Sequence, residues 1–168
     1  MGGGSWRSRS GDSGTSSLSD LSTPVETRFP VGDGGHMVLR ATPVLLDAGQ
    51  ISRTDLNSAQ RFGTNAFAAS SAFTSANRNQ QATGIGFGVG YESLRLKLDV
   101  GNTPAGFKVV TAVGGVAYNE RLGDMSLKLD LSRRSVTDSL LSYAGTVDDR
   151  TGTVWGGVTA TGGRAELG

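Results

Sequence analysis

The sequence predicts an all-β protein: an antiparallel up-and-down meander of about eight strands, of the kind that closes into an outer-membrane barrel. Three observations lead there. In residues 84–100, Ile85, Phe87, Val89 and Tyr91 stand between Gly84, Gly86, Gly88 and Gly90, and then Leu94, Leu96, Leu98 and Val100 alternate with Arg95, Lys97 and Asp99. The apolar set moves from odd to even positions across Glu92-Ser93, which keeps one face apolar through a tight hairpin. Further on, Met125, Leu127, Leu129 and Leu131 alternate with Ser126, Lys128, Asp130 and Ser132. Lastly, the connections between candidate strands are alternately long (11–20, 48–81, 101–108, 134–152) and short (31–35, 92–93, 120–124, 162–163). Alternate connections of a meander lie at the same end, so the short turns gather at one end and the long loops at the other. Outer-membrane barrels have this asymmetry, and a soluble sandwich has no need of it.

Taken in order, Trp6–Ser10 reads as a strand with Arg7 and Arg9 on one face, and 11–20 as a Gly/Ser/Asp/Thr loop. Val25, Thr27 and Phe29 alternate with Glu26 and Arg28, and Gly32–Gly35 turns the chain. Met37, Leu39, Ala41 and Leu45 follow on one face, with His36, Val38, Arg40 and Thr42 on the other. The polar stretch 48–81 is expected to be a long extracellular loop, with room for a helix over 54–67 capped by Thr54 or Asp55. After the hairpin of 84–100, residues 101–107 loop into a strand at 109–118 whose facing the pattern does not settle. A turn at 120–124 leads to the leucine-alternating strand, and 134–152 forms a second long loop. Residues 154–160 make a last strand, and Gly162-Gly163 a last turn.

Alternation runs about 7–10 residues per strand, near the 9–11 that a tilted strand needs to cross a bilayer. The charges at Arg95, Lys97, Asp99, Lys128 and Asp130 fall on the faces without leucines. Each Arg or Lys facing lipid at mid-depth would cost about 2–4 kcal/mol, and facing a watery lumen it costs little.

The 168 residues suit one domain, with 26 glycines, 7% aromatics and no cysteine. A net charge of +1 from 16 basic and 15 acidic residues gives no reason to expect nucleic acid. No apolar run approaches the roughly 20 residues of a membrane-spanning helix, which leaves barrel strands open. The N-terminus lacks the basic start and apolar core of a signal peptide, and Trp6 stands where a myristoylation site wants Ser or Thr. Any export signal is therefore expected outside this chain, and a strand entered partway suggests a fragment.

Signals for catalysis and cofactors are weak. The column Gly84, Gly86, Gly88 and Gly90 has a spacing of two within a strand, which fails the context of a nucleotide loop. It reads instead as a side-chain-free stripe that widens a lumen or lets a loop pack closely. His36 is the single histidine. A Ser-His-Asp site would need it near Asp138 and Ser139 or Ser142, and the meander puts those a strand length away. No His or carboxylate cluster has metal-ligand spacing, and no cofactor is expected.

Two stretches carry a family likeness. One is Leu94-Arg-Leu-Lys-Leu-Asp-Val-Gly-Asn-Thr-Pro-Ala-Gly-Phe107 with Val113-Gly-Gly-Val116, and the other is residues 133–145, Arg-Arg-Ser-Val-Thr-Asp-Ser-Leu-Leu-Ser-Tyr-Ala-Gly, with Trp155-Gly-Gly-Val158. Both resemble the C-terminal domain of the cellulose synthase operon protein C family, and the likeness begins at Arg7-Ser8-Arg9-Ser10-Gly11-Asp12-Ser13-Gly14. The resemblance implies a barrel of sixteen strands in the bacterial outer membrane, preceded by periplasmic tetratricopeptide repeats, that passes a nascent β-1,4-glucan outward. It implies as partners the cellulose chain, outer-membrane lipid and, through a repeat region missing here, the periplasmic and inner-membrane synthase components. The chain departs from the family in having no helical repeats, about half the strands and no terminal aromatic strand end at Arg164–Gly168. The expectation is thus the N-terminal half of a barrel domain, spanning 1–168, and a non-enzymatic export conduit.

On that reading Arg95, Lys97, Asp99, Lys128, Asp130 and Arg134 line the lumen, either as a track for sugar hydroxyls or as paired charges that solvate the wall. Arg133, Arg134, Thr137, Asp138, Ser139 and Tyr143 belong to an exit-loop motif that folds inward or ties strands together. Trp6, Tyr91, Tyr118 and Trp155 lie near strand ends, as interfacial girdles or as ordinary packing. No aromatic platform for sugar stacking is evident on the lumen faces. Two other readings stay open: a small closed eight-stranded barrel with lipid-binding or hydrolytic activity, and a soluble β-domain of a surface adhesin.

Overall fold

The computed structural model describes residues 2–51, 79–147 and 152–168. Its strands are β1 (Ser5–Arg9), β2 (Leu18–Ser22), β3 (Val25–Val31), β4 (Gly35–Gln50), β5 (Asn79–Glu92), β6 (Leu96–Asn102), β7 (Ala112–Leu122) and β8 (Met125–Ser135). A short helix α1 (Leu140–Ala144) and the two-residue strands β9 (Thr146–Val147) and β10 (Val154–Trp155) precede β11 (Thr159–Leu167).

Each long strand pairs antiparallel with its sequence neighbour, in the order β1-β2-β4-β5-β6-β7-β8-β11, with β3 also on β4. β2 and β3 form one strand broken at Thr23-Pro24: β3 pairs with the first half of β4 and β2 with its second half. The break has a chemical cause. Thr23 N donates to Pro43 O at 3.1 Å, so Pro43, which has no N–H, faces the gap and costs the ladder nothing there. Counting β2–β3 as one, the sheet is an eight-strand up-and-down meander curled into a half-barrel. Its curl follows from a contact. One residue separates Ser135 on β8 from Thr137, whose Oγ1 accepts a hydrogen bond from Arg7 on β1. Laid flat, those strands would stand about 29 Å apart at roughly 4.8 Å per strand.

The register sorts side chains cleanly onto two faces. Leu21, Leu45, Thr83 and then Leu39, Val89, Val100 share one face across the ladder, as do Tyr91, Leu98, Val116 and Leu131. This face is exposed: Phe87 is 54% accessible, Val100 57% and Leu131 61%. The other, concave face carries Arg7, Asp20, Glu26, Arg40, Asp99 and Asp130. The buried cluster of Leu18, Val44, Leu46, Ala48, Phe107, Leu140 and Ala144 also lies on the concave side, at the long-loop end.

Several boundaries differ from the expectation. β4 runs on through Asp47 to Gln50 with a bulge between Asp47 and Gly49, and β5 begins at Asn79, so part of the predicted 48–81 loop is strand. The expected helix at 54–67 lies outside the described residues. β7 starts at Ala112 rather than Val109, because Pro104–Phe107 folds back on β5 through the paired bonds of Ile85 and Ala105. The facing of β7 is now defined: Val116 and Tyr118 point outward, Gly115 and Ala117 inward. β8 extends through Ser135, so Arg134 sits on a strand rather than in a loop. The last long strand is 159–167, not 154–160. Gly162 and Gly163 lie inside it, opposite Ser132 and Leu131, and not in a turn. Val154 and Trp155 instead pair with Val147 and Thr146. The turns at 32–34, 93–95 and 123–124 are short and share one end of the sheet.

Candidate functional site

The concave wall is a lattice of opposite charges separated by glycines. Arg40 on β4 donates from Nε to Glu26 on the adjacent strand at 2.6 Å, and Arg28 reaches Glu26 and Glu92 at 3.5 and 3.7 Å. In the ladder Lys97 stands opposite Glu92, Lys128 opposite Glu166 and Asp130 opposite Arg164, each an oppositely charged cross-strand pair. Arg164 also pairs with Glu166. The longest reach is that of Arg134 on β8, which grips Asp99 on β6 with both terminal nitrogens, Nη2 donating to Oδ1 at 2.7 Å. The strand between contributes Gly115, where a Cβ would lie 2.8 Å from Arg134 Nη2. A glycine on β7 therefore permits a bidentate bridge between β6 and β8.

The glycine column of β5 serves two purposes. A Cβ on Gly84 would meet Ala105 O at 2.5 Å and one on Gly86 would meet Asn102 O at 3.3 Å, so the 103–107 loop packs on its upper part. At Gly88 the nearest atom is 3.6 Å away, and the column opens there into a hollow of 440 Å³ flanked by Arg40, Asp99 and Arg134.

Across one end of this hollow lies the segment that follows β8. It folds inward because its sequence makes a self-capped, one-sided helix. Ser139 and Ser142 form a reciprocal capping box, Gly145 closes α1 at φ 76°, and Leu140 and Ala144, four residues apart, share its buried face. A helix this short has no stability of its own. It is held by the concave cluster of Leu18, Val44, Leu46, Ala48 and Phe107, and by the edge-on contact of Phe107 with Tyr143 at 5.1 Å. Behind it, Gly157 N and Val158 N donate to Leu141 O and Ser142 O, and Val109 N donates to Ala144 O. A Cβ on Gly156 would overlap Leu141 O, so the Gly-Gly pair is what lets the return strand lie under the helix. In front of it, Arg7 donates to Thr137 Oγ1 at 3.1 Å and to Thr137 O at 2.9 Å, while Arg9 donates to Asp138 O at 3.1 Å. Burial pushes the Tyr143 phenol above its ordinary pKa; the Asp20 carboxylate raises it further and Arg7 opposes both.

Of the six residues expected along the lumen, Lys97, Asp99, Lys128, Asp130 and Arg134 share the concave face. Arg95 does not join them. It lies in the turn after β5 and pairs at 3.1 Å with Glu120, which also accepts from Tyr118 Oη at 2.8 Å. In the exit-loop motif, Thr137, Asp138, Ser139 and Tyr143 belong to the inward segment, while Arg133 points to the outer face and donates to Ala112 O at 3.2 Å. Tyr91 and Tyr118 lie on the outer face toward the short turns, Trp6 on the outer face of β1, and Trp155 on β10, off the curled sheet. His36 starts β4, opposite Pro30 and Glu92. About ten strand residues, or roughly 33 Å, separate it from the end where Ser139 and Ser142 pack. Among the described residues no group of His and carboxylates has the arrangement of a metal site. The sequence pattern does not expose Tyr143 and Phe107 as a pair on the concave side, since neither lies on a long strand, nor Asp20, which it places at the end of a loop.

A family model described as Cellulose synthase operon protein C C-terminus matches residues 16–168. Cellulose synthase operon protein C of Pseudomonas fluorescens is 41% identical over 166 residues, which covers 96% of this chain and 12% of that protein. The protein of the same description from Salmonella typhimurium is 36% identical over 162 residues, covering 94% of this chain and 13% of its own length. That of Xanthomonas axonopodis pv. citri is 42% identical over 133 residues, covering 79% of this chain and 8% of its own length. The chain thus spans no more than 13% of the length of these relatives.

Proposed function

This chain belongs to the cellulose synthase operon protein C family, and from that premise we propose that it forms one wall of an outer-membrane channel for bacterial cellulose. The observation that carries the reading is the division of the sheet: large apolar side chains exposed on the outer face, charges gathered on the concave one. A soluble β-domain would cover that apolar face with a second layer. Lipid covers it here, so the strands cross the bacterial outer membrane with the long connections outside and the short turns in the periplasm. Tyr91, Tyr118 and Trp6 mark the two interfaces. β1 and β11 are edges in the described sheet, and strands beyond this chain pair with them to close the barrel. A closed eight-stranded barrel would instead pair β1 with β11.

The conduit is passive and performs no reaction. A β-1,4-glucan is uncharged, and the wall facing it carries both signs side by side: Arg134 grips Asp99, Arg164 pairs with Glu166, and in the ladder Lys97 stands opposite Glu92, Lys128 opposite Glu166 and Asp130 opposite Arg164. Such a wall holds water and offers many weak partners to sugar hydroxyls without trapping the chain. The driving force comes from the synthase in the inner membrane, reached through a repeat region of the longer protein. Arg95, paired with Glu120 beside the outward Tyr118, lies at the periplasmic rim on the outer side of the wall. Residues 136–147, with α1, narrow the outer end. Replacing Lys128→Gln and Asp130→Asn together, in the longer protein, lowers cellulose secretion while the barrel keeps its heat-modifiable gel mobility. The backbone ladder between β8 and β11 does not depend on these side chains, so the strand pairing stays in place. Unchanged secretion would refute the polar track.

A further inference from the structure

Beside the inward helix lies a second, smaller hollow of 250 Å³. Ser5, Arg7, Asp20, Ser22, Thr42 and Val44 line it from the concave faces of β1, β2 and β4, and Thr137 and Tyr143 from the segment after β8. Its chemistry is unusual for a wall of paired charges. The Asp20 side chain is 14% accessible, and its Oδ2 accepts from Arg7 Nη2 at 2.9 Å. Its other oxygen, Oδ1, is buried and has no hydrogen-bond partner among the described residues. A buried carboxylate oxygen without a donor is costly, and native structures rarely keep one without a use.

The surroundings select the missing donor. A cation is disfavoured, because the Arg7 guanidinium already stands on the carboxylate. An anion is disfavoured by the carboxylate itself. An apolar group would leave Oδ1 and three or four hydroxyls dry. What remains is a neutral O–H donor: water when the hollow is empty, and a ligand rich in O–H groups when one docks there. The volume falls just below the roughly 300–1,000 Å³ of sites for drug-sized ligands, which suits one sugar ring rather than several. Tyr143, held edge-on by Phe107, borders both this hollow and the larger one, so a chain in the lumen has direct access.

We propose that Asp20, Ser22, Thr42 and Tyr143 form a saccharide subsite under α1, in which Asp20 Oδ1 accepts from a glucosyl hydroxyl of the passing chain. The export reading supplies the ligand class, and the subsite deepens it by naming where one ring of the chain docks. Tyr143 adds an aromatic flank and a phenol; the serine and threonine hydroxyls take the remaining sugar oxygens. The site is single and weak, which lets the chain pause without stopping.

The test uses the longer protein in detergent and in planar bilayers, with cellotetraose as the probe. Calorimetry on the wild type should register binding, and Asp20→Asn should weaken it by about tenfold or more, the worth of a hydrogen bond to a charged acceptor. Thr42→Val and Tyr143→Phe keep the Arg7 contact and the Phe107 packing, and each should weaken binding by a smaller factor. Current recording separates the two readings. A current that cellotetraose blocks less well in Asp20→Asn supports both. A current blocked equally in all variants overturns the subsite and leaves the channel. Binding that depends on Asp20 in a protein that carries no current keeps the subsite and removes the channel. No binding by the wild type, or binding that none of the three variants changes, overturns the subsite.

Discussion

Arg134 reaches Asp99 across β7 because residue 115 carries no side chain; a Cβ there would stand 2.8 Å from Arg134 Nη2 and 3.1 Å from Leu131 O. Gly115→Ala should therefore open the bridge, and Arg134→Gln should open it as well. Both partners are about half exposed, so screening keeps the loss below about 1 kcal/mol. A detergent denaturation series should give similar losses for the two single variants, and the double variant should add little beyond either. A larger penalty is expected at Gly156, whose φ is 94° and whose missing Cβ leaves room for Leu141 O. Gly156→Ala should release α1 and the 156–158 return behind it to limited proteolysis, whereas Gly162→Ala, with open space around it, should not. Tyr143 adds a pH dependence of definite sign. Its phenol is raised in the folded chain, so the neutral form stabilises the docked segment below the ordinary phenol value of about 10. That contribution disappears as pH climbs through the higher folded value. Difference titration against Tyr143→Phe should detect ionisation above the ordinary range; ionisation below it would contradict the docked position.

At the scale of elements, the inward segment and the strands answer to different forces. Leu140 is 5% accessible and sits in the small concave cluster, so Leu140→Ala should cost about 2–5 kcal/mol of docking. Because that cluster lies to one side of the strand ladder, the variant should expose α1 to protease and leave the heat-modifiable band in place. The β8 strand should show the opposite sensitivity. Leu131→Arg places a cation on the outer face and should cost about 2–4 kcal/mol if that position is near mid-depth, while Ser132→Arg should cost little. These elements differ in the same way in how far the sequence discloses them. Strands β5, β6 and β8 are written in a period of two, since each presents an apolar face outward and a glycine or charged face inward, and the reading recovers that division. β7 is not, because Val113, Gly114, Gly115 and Val116 are small or branched on both sides. The glycines at 114 and 115 answer to neighbours on other strands, Asp99 O in one case and Arg134 in the other. The end of the chain misleads for a related reason. Gly162-Gly163 looks like a turn, yet it is a ladder segment where Leu131 covers the missing side chain of Gly163. Asp20 and Tyr143 were illegible as neighbours because only the curl of the sheet and the return of α1 bring them together.

For the whole molecule, the decisive property is the sorting of apolar and charged side chains onto opposite faces of one sheet, which the proposed channel assigns to two media. This is testable without knowing what passes through. Along β8, Leu127, Leu129 and Leu131 face outward and Lys128 and Asp130 inward. Across the sheet the same division pairs Leu98 with Tyr91 outside and Lys97 with Glu92 inside. The chain contributes no cysteine of its own, so single cysteines can be read one at a time in a cysteine-free form of the longer protein. In isolated outer membranes, a water-soluble maleimide should label Lys128→Cys, Asp130→Cys and Lys97→Cys, and should fail to label Leu129→Cys, Leu131→Cys and Leu98→Cys. A soluble sheet with a second layer over the leucines would leave the inward positions labelled but would not need a bilayer to protect the outward ones. Detergent extraction into a short-chain micelle therefore separates the cases: protection that survives in aqueous buffer without detergent refutes the lipid-facing assignment. Protection that depends on lipid or detergent, with period-two labelling on β6 and β8 alike, leaves a hydrated lumen as the place for the paired charges. On the proposed reading α1 and the Asp20 hollow make the path within it narrower than the half-barrel alone.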